Sequence, residues 1–230
     1  MKLKIYPISI LFALLVSACA PQAAPTLIPT EEPSPVITKT IVPEQTASAS
    51  KMWRAIRDPR HGFGFAIPCW WLTNSIFEDD GLYTIKNYDD AYFQANSTKG
   101  FWDWPNGTLK LDIIIMEGID PAKSDADAYM QFVDPTMTGL VSAEQQQIGS
   151  HTATVLTLSN LVNTADPDTK VYIFRFHPDK LLVVVPFPQS IIGTPDFEAF
   201  LASTALSQDE QIKLPDITPA PALIDASCAQ

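Results

Sequence analysis

Cys69, His61, His151 and His177 have the side chains best suited to chemistry in this 230-residue chain. A cysteine nucleophile needs an imidazole within hydrogen-bond reach to draw off its proton. Cys69 has three histidines to choose from, yet no protease motif surrounds it, and its neighbours Trp70 and Trp71 mark a packed strand end. The chain has no G-x-S-x-G elbow for a serine hydrolase and no glycine-rich phosphate loop. Zinc needs closely spaced ligands, such as a C-x-x-C pair or histidines one helical turn apart, and neither pattern occurs. His61 and His177 fall in or beside turns, where a solvated imidazole is the ordinary outcome. Asp166 and Asp168 resemble half a calcium loop without its glycine and distal glutamate. Asp89-Asp90 reads as a turn cap. Among 26 acidic residues some pair always suits glycoside hydrolysis, so that signal has no specificity. The expectation is a non-enzyme with no metal and no cofactor.

Binding chemistry rests on the aromatics. Trp70 and Trp71 follow a strand, and Trp102 and Trp104 lie in the loop segment Phe101-Trp102-Asp103-Trp104-Pro105. Indoles on a loop stack on sugar rings or anchor a protein partner. The same four residues equally suit the cap of a core, and both readings stand at this point. Lys51, Arg54, Arg57 and Arg60 cluster where the first aromatic segment begins, either near anionic headgroups or simply solvated. A formal charge of −11 excludes a nucleic-acid partner, which would require a basic face.

The positioning elements are mostly strands. Met52–Asp58 and Phe63–Pro68 flank Pro59-Arg60-His61-Gly62 as a hairpin. Strands follow at Leu82–Tyr88 and Leu109–Met116, the latter ending in a continuous apolar run that calls for burial on both faces. Ser124 caps a helix reaching about Val133, with Asp125 and Asp127 in its first turn. Four more strands are predicted at Ser142–Ile148, Thr152–Ser159, Lys170–Phe176 and Leu181–Pro186. The last helix has Thr194 as cap and Pro195 at its first position, with Phe197, Phe200 and Leu201 on one face. Tight turns between strands predict an α+β domain, a central antiparallel sheet flanked by helices, over residues 51–206.

Outside that domain the composition changes. Lys2 and Lys4 precede an apolar run too short to span a bilayer, ending in Val16-Ser17-Ala18-Cys19. This segment resembles the bacterial lipoprotein signal, with Val16 where leucine is commonest. The resemblance implies removal of residues 1–18 and diacylation of Cys19. Two or three acyl chains anchor firmly, at about 0.8 kcal/mol per buried methylene. The expectation is an extracytoplasmic protein held to a bacterial membrane by its N-terminal lipid. From residue 20 to 50, six prolines among Thr, Ser and Ala form a spacer with a reach of roughly 90 Å.

With Cys19 acylated, Cys69 and Cys228 remain. An oxidising exterior favours a disulfide between them, and closing a loop of about 160 residues removes roughly 5 kcal/mol of unfolded-state entropy. The other reading is a buried thiol at Cys69 and a frayed Cys228. Residues 207–230 carry three prolines with Ile212, Leu214, Ile217, Leu223 and Ile224, and either dock on the domain or hang loose.

Gly62-Phe63-Gly64-Phe65-Ala66-Ile67-Pro68-Cys69-Trp70-Trp71 resembles the opening strand of PsbP-like domains, a gly-phe-x-hydrophobic-x-x-pro-x-x-trp pattern. Pro195–Ser203 similarly resembles the closing phe-x-x-x-leu-x-ser helix of that superfamily. The resemblance covers about 51–206 and implies an α-β-α sandwich acting as a non-catalytic binding or assembly module. It transfers no functional residue, and fold alone does not settle function. The leading expectation is a tethered lipoprotein presenting such a module to an envelope protein. The alternative is a small-molecule or glycan binder using Trp102 and Trp104.

Overall fold

The computed structural model describes residues 52–77, 81–97, 104–162 and 168–223. The chain divides into two units, Met1–Glu44 and Gln45–Gln230, and every described residue belongs to the second. The signal segment, Cys19 and the proline-rich spacer lie outside the described residues.

Two strands, β1 (Trp53–Arg57) and β2 (Gly64–Pro68), form an antiparallel hairpin around the Pro59–Gly62 turn. Seven more form one antiparallel sheet. They are β3 (Leu72–Phe77), β4 (Leu82–Lys86), β5 (Lys110–Glu117), β6 (Thr138–Ile148), β7 (His151–Asn160), β8 (Thr169–His177) and β9 (Lys180–Phe187). Their order across the sheet is β3-β4-β5-β9-β8-β7-β6, so β9 fills the centre and β6 lies at one edge. Helices α1 (Asp90–Asn96), α2 (Asp125–Met130) and α3 (Pro195–Ala202) are short.

The period-two geometry of a strand divides the apolar residues between the two faces of the sheet. Leu111, Ile113, Tyr172, Phe174, Leu182 and Val184 face one core, completed by Phe65 and Ile67 of the hairpin, by Trp71 and by Phe197 and Phe200 of α3. Met116, Leu156, Ile173, Leu181 and Val183 face the other, covered by Ala126, Ala128 and Tyr129 of α2. Leu181 to Val184 of the central strand are all fully buried, and Ile115 and Met116 are buried in opposite cores, as the apolar end of Leu109–Met116 predicts.

The architecture is sheet-dominated, which corrects the expected helix-flanked sandwich. One face is covered as much by a β-hairpin as by α3, and the other by a helix of six residues. Gln131 closes α2, short of the expected end at about Val133, and Pro135 disfavours helical backbone at Asp134 beyond it. Three elements escaped the sequence reading, one of them a single 3-10 turn at Gln189–Ile191. Strand β3 occupies the other edge, pairing Leu72 with Lys86, and α1 is capped by Asp89, whose side chain accepts from the Tyr92 amide at 2.6 Å. Among the described residues no helix is long and apolar enough to cross a membrane.

Candidate functional site

The turn between β1 and β2 is organised by Asp58. Its Oδ1 accepts from the amides of Arg60 at 2.6 Å and His61 at 3.3 Å, a local arrangement that aspartate makes readily at turns. Gly62 takes a positive φ of 85°, and its amide donates to the Asp58 carbonyl at 2.9 Å. Asp58 Oδ2 then accepts from the Tyr83 hydroxyl on β4 and lies 3.0 Å from His61 Nδ1. Arg60 Nη2 donates to the same tyrosine oxygen at 2.6 Å. On the far side of the imidazole, Nε2 sits 3.7 Å from Glu117 of β5, which pairs with Lys180 of β9. One charged chain therefore runs from the hairpin turn to the end of the main sheet.

Between hairpin and sheet lies a cleft of about 550 Å³ lined by apolar Phe63, Phe65, Ile85 and Ile113 and by polar Asp58, Arg60 and Tyr83. A neighbouring cleft of about 400 Å³ shares Arg60 and His61 and adds His177 and Lys180. Burial would raise the Asp58 pKa, but the hydrogen bonds from Tyr83, His61 and two backbone amides outweigh it and hold the group down at about 2. Burial and the bond to Asp58 push the Tyr83 phenol above its ordinary value. A carboxylate so acidic is a weak proton acceptor at neutral pH, and a phenol held protonated is a poor nucleophile. The cluster is built to lock the hairpin onto β4 and to shape a cleft wall. No group of His, Cys, Asp and Glu able to hold a metal occurs among the described residues.

Each histidine has a carboxylate beside it: Asp58 for His61, Glu210 at 2.8 Å for His151, and Asp179 for His177. His61 is thus half-buried and paired rather than solvated: Asp58 lies three positions away in the same turn, and Glu117 reaches the ring from the main sheet. The described arginines of the basic cluster are engaged with the fold, although Arg54 and Arg60 are exposed. Arg54 donates to the Trp71 carbonyl at 2.9 Å, and Arg57 donates to the carbonyls of Gly62, Ser207 and Glu210. Lys51 lies outside the described residues.

The tryptophans part company. Trp71 is 1% exposed and packs near Phe200, with ring centroids 6.3 Å apart, so it cannot stack on a surface ligand. Trp70 is half-buried against the same core. Trp104 lies parallel to Phe187 with centroids 6.0 Å apart and meets Phe93 and Tyr88 edge-on, capping the sheet end. Trp102 and most of its loop lie outside the described residues. Trp53, not singled out in the sequence, is buried and donates from Nε1 to the Ile217 carbonyl at 2.9 Å. That bond belongs to a series holding the tail. Gln208 donates to Pro59 O at 2.7 Å, and the Ala220 amide donates to Asp196 at 3.0 Å. Cys69 directly follows β2, and its amide donates to Met52 O at 2.9 Å. Cys228 lies outside the described residues.

A second surface is open. Phe132, Met137, Leu140, Val141, Leu161 and Val162 are exposed where α2 leads into β6 and where β7 ends, with Phe132 at 67% and Val162 at 70%. The Leu161 amide donates to Met137 O at 2.8 Å, which ties the two segments together. Beside them β6 exposes most of its length and has Glu144 as its sole charged residue. Edge strands ordinarily carry charges, prolines or covers that prevent pairing. This one has a single charge and no proline. The strand was visible in the sequence as Ser142–Ile148, but its place at the rim was not.

No family model matches the sequence, and no curated protein does. Solved structures do. The solution structure of cyanobacterial PsbP (CyanoP) from Synechocystis sp. PCC 6803 is 15% identical with a TM-score of 0.44, over 67% of this chain and 92% of that one. A crystal structure from Bacteroides thetaiotaomicron is 12% identical with a TM-score of 0.37, over 67% of this chain and 48% of that one. The Ran-binding protein Mog1p of Saccharomyces cerevisiae is 12% identical with a TM-score of 0.35, over 58% of this chain and 75% of that one.

Proposed function

We propose that this chain is a bacterial lipoprotein with a PsbP-like domain, tethered outside the cytoplasm, whose task is to bind another polypeptide rather than to catalyse. The tether rests on the basic and apolar start, Cys19 and the spacer. The family reading rests on the two motif segments, which are physically joined: Ala66 of the opening strand bonds to Ser203 at the end of the closing helix, 137 positions away.

The observation that carries the binding reading is the open edge β6 with its apolar border. An extended segment of a partner adds to β6 as an eighth strand, its backbone pairing with the edge beside Leu140 and Val141. In this mode main-chain bonds supply affinity and flanking side chains supply specificity. The Asp58 cleft has its polar groups turned on one another and serves the fold.

Pairing of Cys69 with Cys228 completes the proposal. The tail crosses Trp53, whose register partner is Pro68, next to Cys69, and Leu223 stands five residues before Cys228. Five residues extend at most about 18 Å.

The test uses the full-length protein in a bacterial host. The N-terminal peptide should carry acylated Cys19, and Cys19→Ala should release the protein from the membrane or leave its signal uncut. A photoreactive residue at position 145 should give an adduct with a polypeptide, whereas one at exposed position 190 should not. Membrane release without any effect of Cys19→Ala, or no adduct at 145, would count against the proposal.

A further inference from the structure

We propose that the polypeptide taken up by β6 is β6 of a second copy, paired antiparallel about a two-fold axis at Gln145. This deepens the strand-addition reading above and rests on it.

The register follows from the β6–β7 hairpin. Gly149-Ser150 joins Ile148 directly to His151, and the pairing runs without a shift from there to Ser142 opposite Thr157. The pair closing a two-residue hairpin turns its amide and carbonyl groups inward, and inward pairs then alternate along the strand. Ile148, Gln146, Glu144 and Ser142 therefore bond to β7, while Gln147, Gln145 and Ala143 point their backbone groups out of the sheet. No backbone bond joins these three to any other described segment.

A second β6 is complementary to this pattern. With Gln145 opposite its own counterpart, Ala143 falls opposite Gln147 of the second copy, and Gln147 opposite Ala143. All three outward residues on each strand then meet outward residues, so every exposed donor finds an acceptor. Between them Glu144 falls opposite Gln146 of the second copy, twice by symmetry. This is the closer kind of antiparallel pair, and it places a carboxylate against an amide that can donate to it. The two Glu144 carboxylates are set diagonally apart rather than directly opposite, which weakens the repulsion between the strand's sole charge and its copy. An isologous contact of this kind closes on itself and consumes both edges.

Sedimentation equilibrium of the full-length protein in density-matched detergent tests the proposal. A monomer–dimer equilibrium is expected. Gln145→Pro should abolish it while leaving the β6–β7 ladder intact, because the lost amide points outward. Gln146→Lys should tighten the dimer several-fold by facing Glu144, and Gln146→Glu should loosen it several-fold. Glu144→Lys combined with Gln146→Glu should restore it. The charge variants keep the test alive if the proline variant fails to fold. A monomer at every loading concentration, or a dimer that Gln146→Lys and Gln146→Glu shift alike, overturns self-pairing. A monomer that still forms adducts at position 145 with a different polypeptide overturns self-pairing and leaves strand addition standing. A monomer with no adduct overturns both.

Discussion

Ser203 Oγ accepts a hydrogen bond from the Ala66 amide at 2.8 Å, inside the core and across 137 positions of sequence. The same hydroxyl donates to the Phe200 carbonyl at 2.6 Å, so the end of α3 and the middle of β2 share one oxygen. Beside it Gly64 and Ala205 exchange backbone bonds at 2.9 Å in each direction. The hairpin is joined to α3 by these bonds and by the stacking of Phe65 on Phe200, with centroids 4.8 Å apart.

Ser203→Ala leaves the Ala66 amide buried without its acceptor, which costs about 1–3 kcal/mol. Urea denaturation should show that loss, whereas Ser207→Ala, at an exposed hydroxyl, should change stability by less than about 0.5 kcal/mol. Equal effects would remove the special role given to Ser203.

Trp71→Ala should destabilise the domain by about 3–5 kcal/mol, the range for emptying a large core site. Trp71 fluorescence should also resist quenching by iodide in the native state. Ready quenching of that indole, isolated in a variant retaining it as the sole tryptophan, would contradict its burial.

Asp58 sets an acid limb. Its folded pKa of about 2 lies below the ordinary 3.8, so its stabilising contribution is present above about pH 4. That contribution is lost as pH falls through the folded value, and a depression of this size corresponds to about 2 kcal/mol. Asp58→Asn should therefore be less stable than wild type at pH 6, with the gap shrinking toward pH 2. Tyr83→Phe removes a hydrogen bond to the carboxylate and should raise the Asp58 pKa, observable by NMR titration of its carboxyl carbon.

Gly149 and Gly193 both have positive φ, 56° and 82°, but differ in surroundings. A Cβ on Gly149 would stand 2.5 Å from the Ala202 carbonyl oxygen, whereas one on Gly193 meets nothing within 4 Å. Gly193→Ala should cost only the backbone strain, about 1–2 kcal/mol. Gly149→Ala should cost clearly more, because the hairpin must move off α3. Equal melting temperatures for the two variants would refute that contact.

The proposed Cys69–Cys228 disulfide predicts that unfolding without reductant exposes no alkylatable thiol at either position. Labelling of both cysteines under those conditions would refute it.

Much of the local structure was legible in the residues. The Ser124 cap oxygen accepts from the Asp127 amide at 3.0 Å, as its place before a short acidic turn predicts. Eight of the strands followed from apolar alternation and from glycine or proline turns. Strand β3 did not, because Leu72–Phe77 mixes polar and apolar residues without a regular period and takes its form from pairing with β4. Trp70, Trp71 and Trp104 show the limit of composition: an indole has the same chemistry in a core as on a loop, and packing alone assigns it.

What the residues determined alone is where strands and turns fall, because side-chain period and backbone restriction act over a few positions. The basic and apolar start, Cys19 and the spacer are features of the same local kind, and they carry the proposal of a tether. The tertiary structure decided which distant groups meet. Tyr83 came to Asp58 from another sheet and added to the turn's own bonds that make it acidic, and Glu210 reached His151 only because the tail lies back on the domain. The open edge belongs to this second class. Whether a strand has a neighbour depends on sheet order, a property of the whole chain, and it left β6 on the outside.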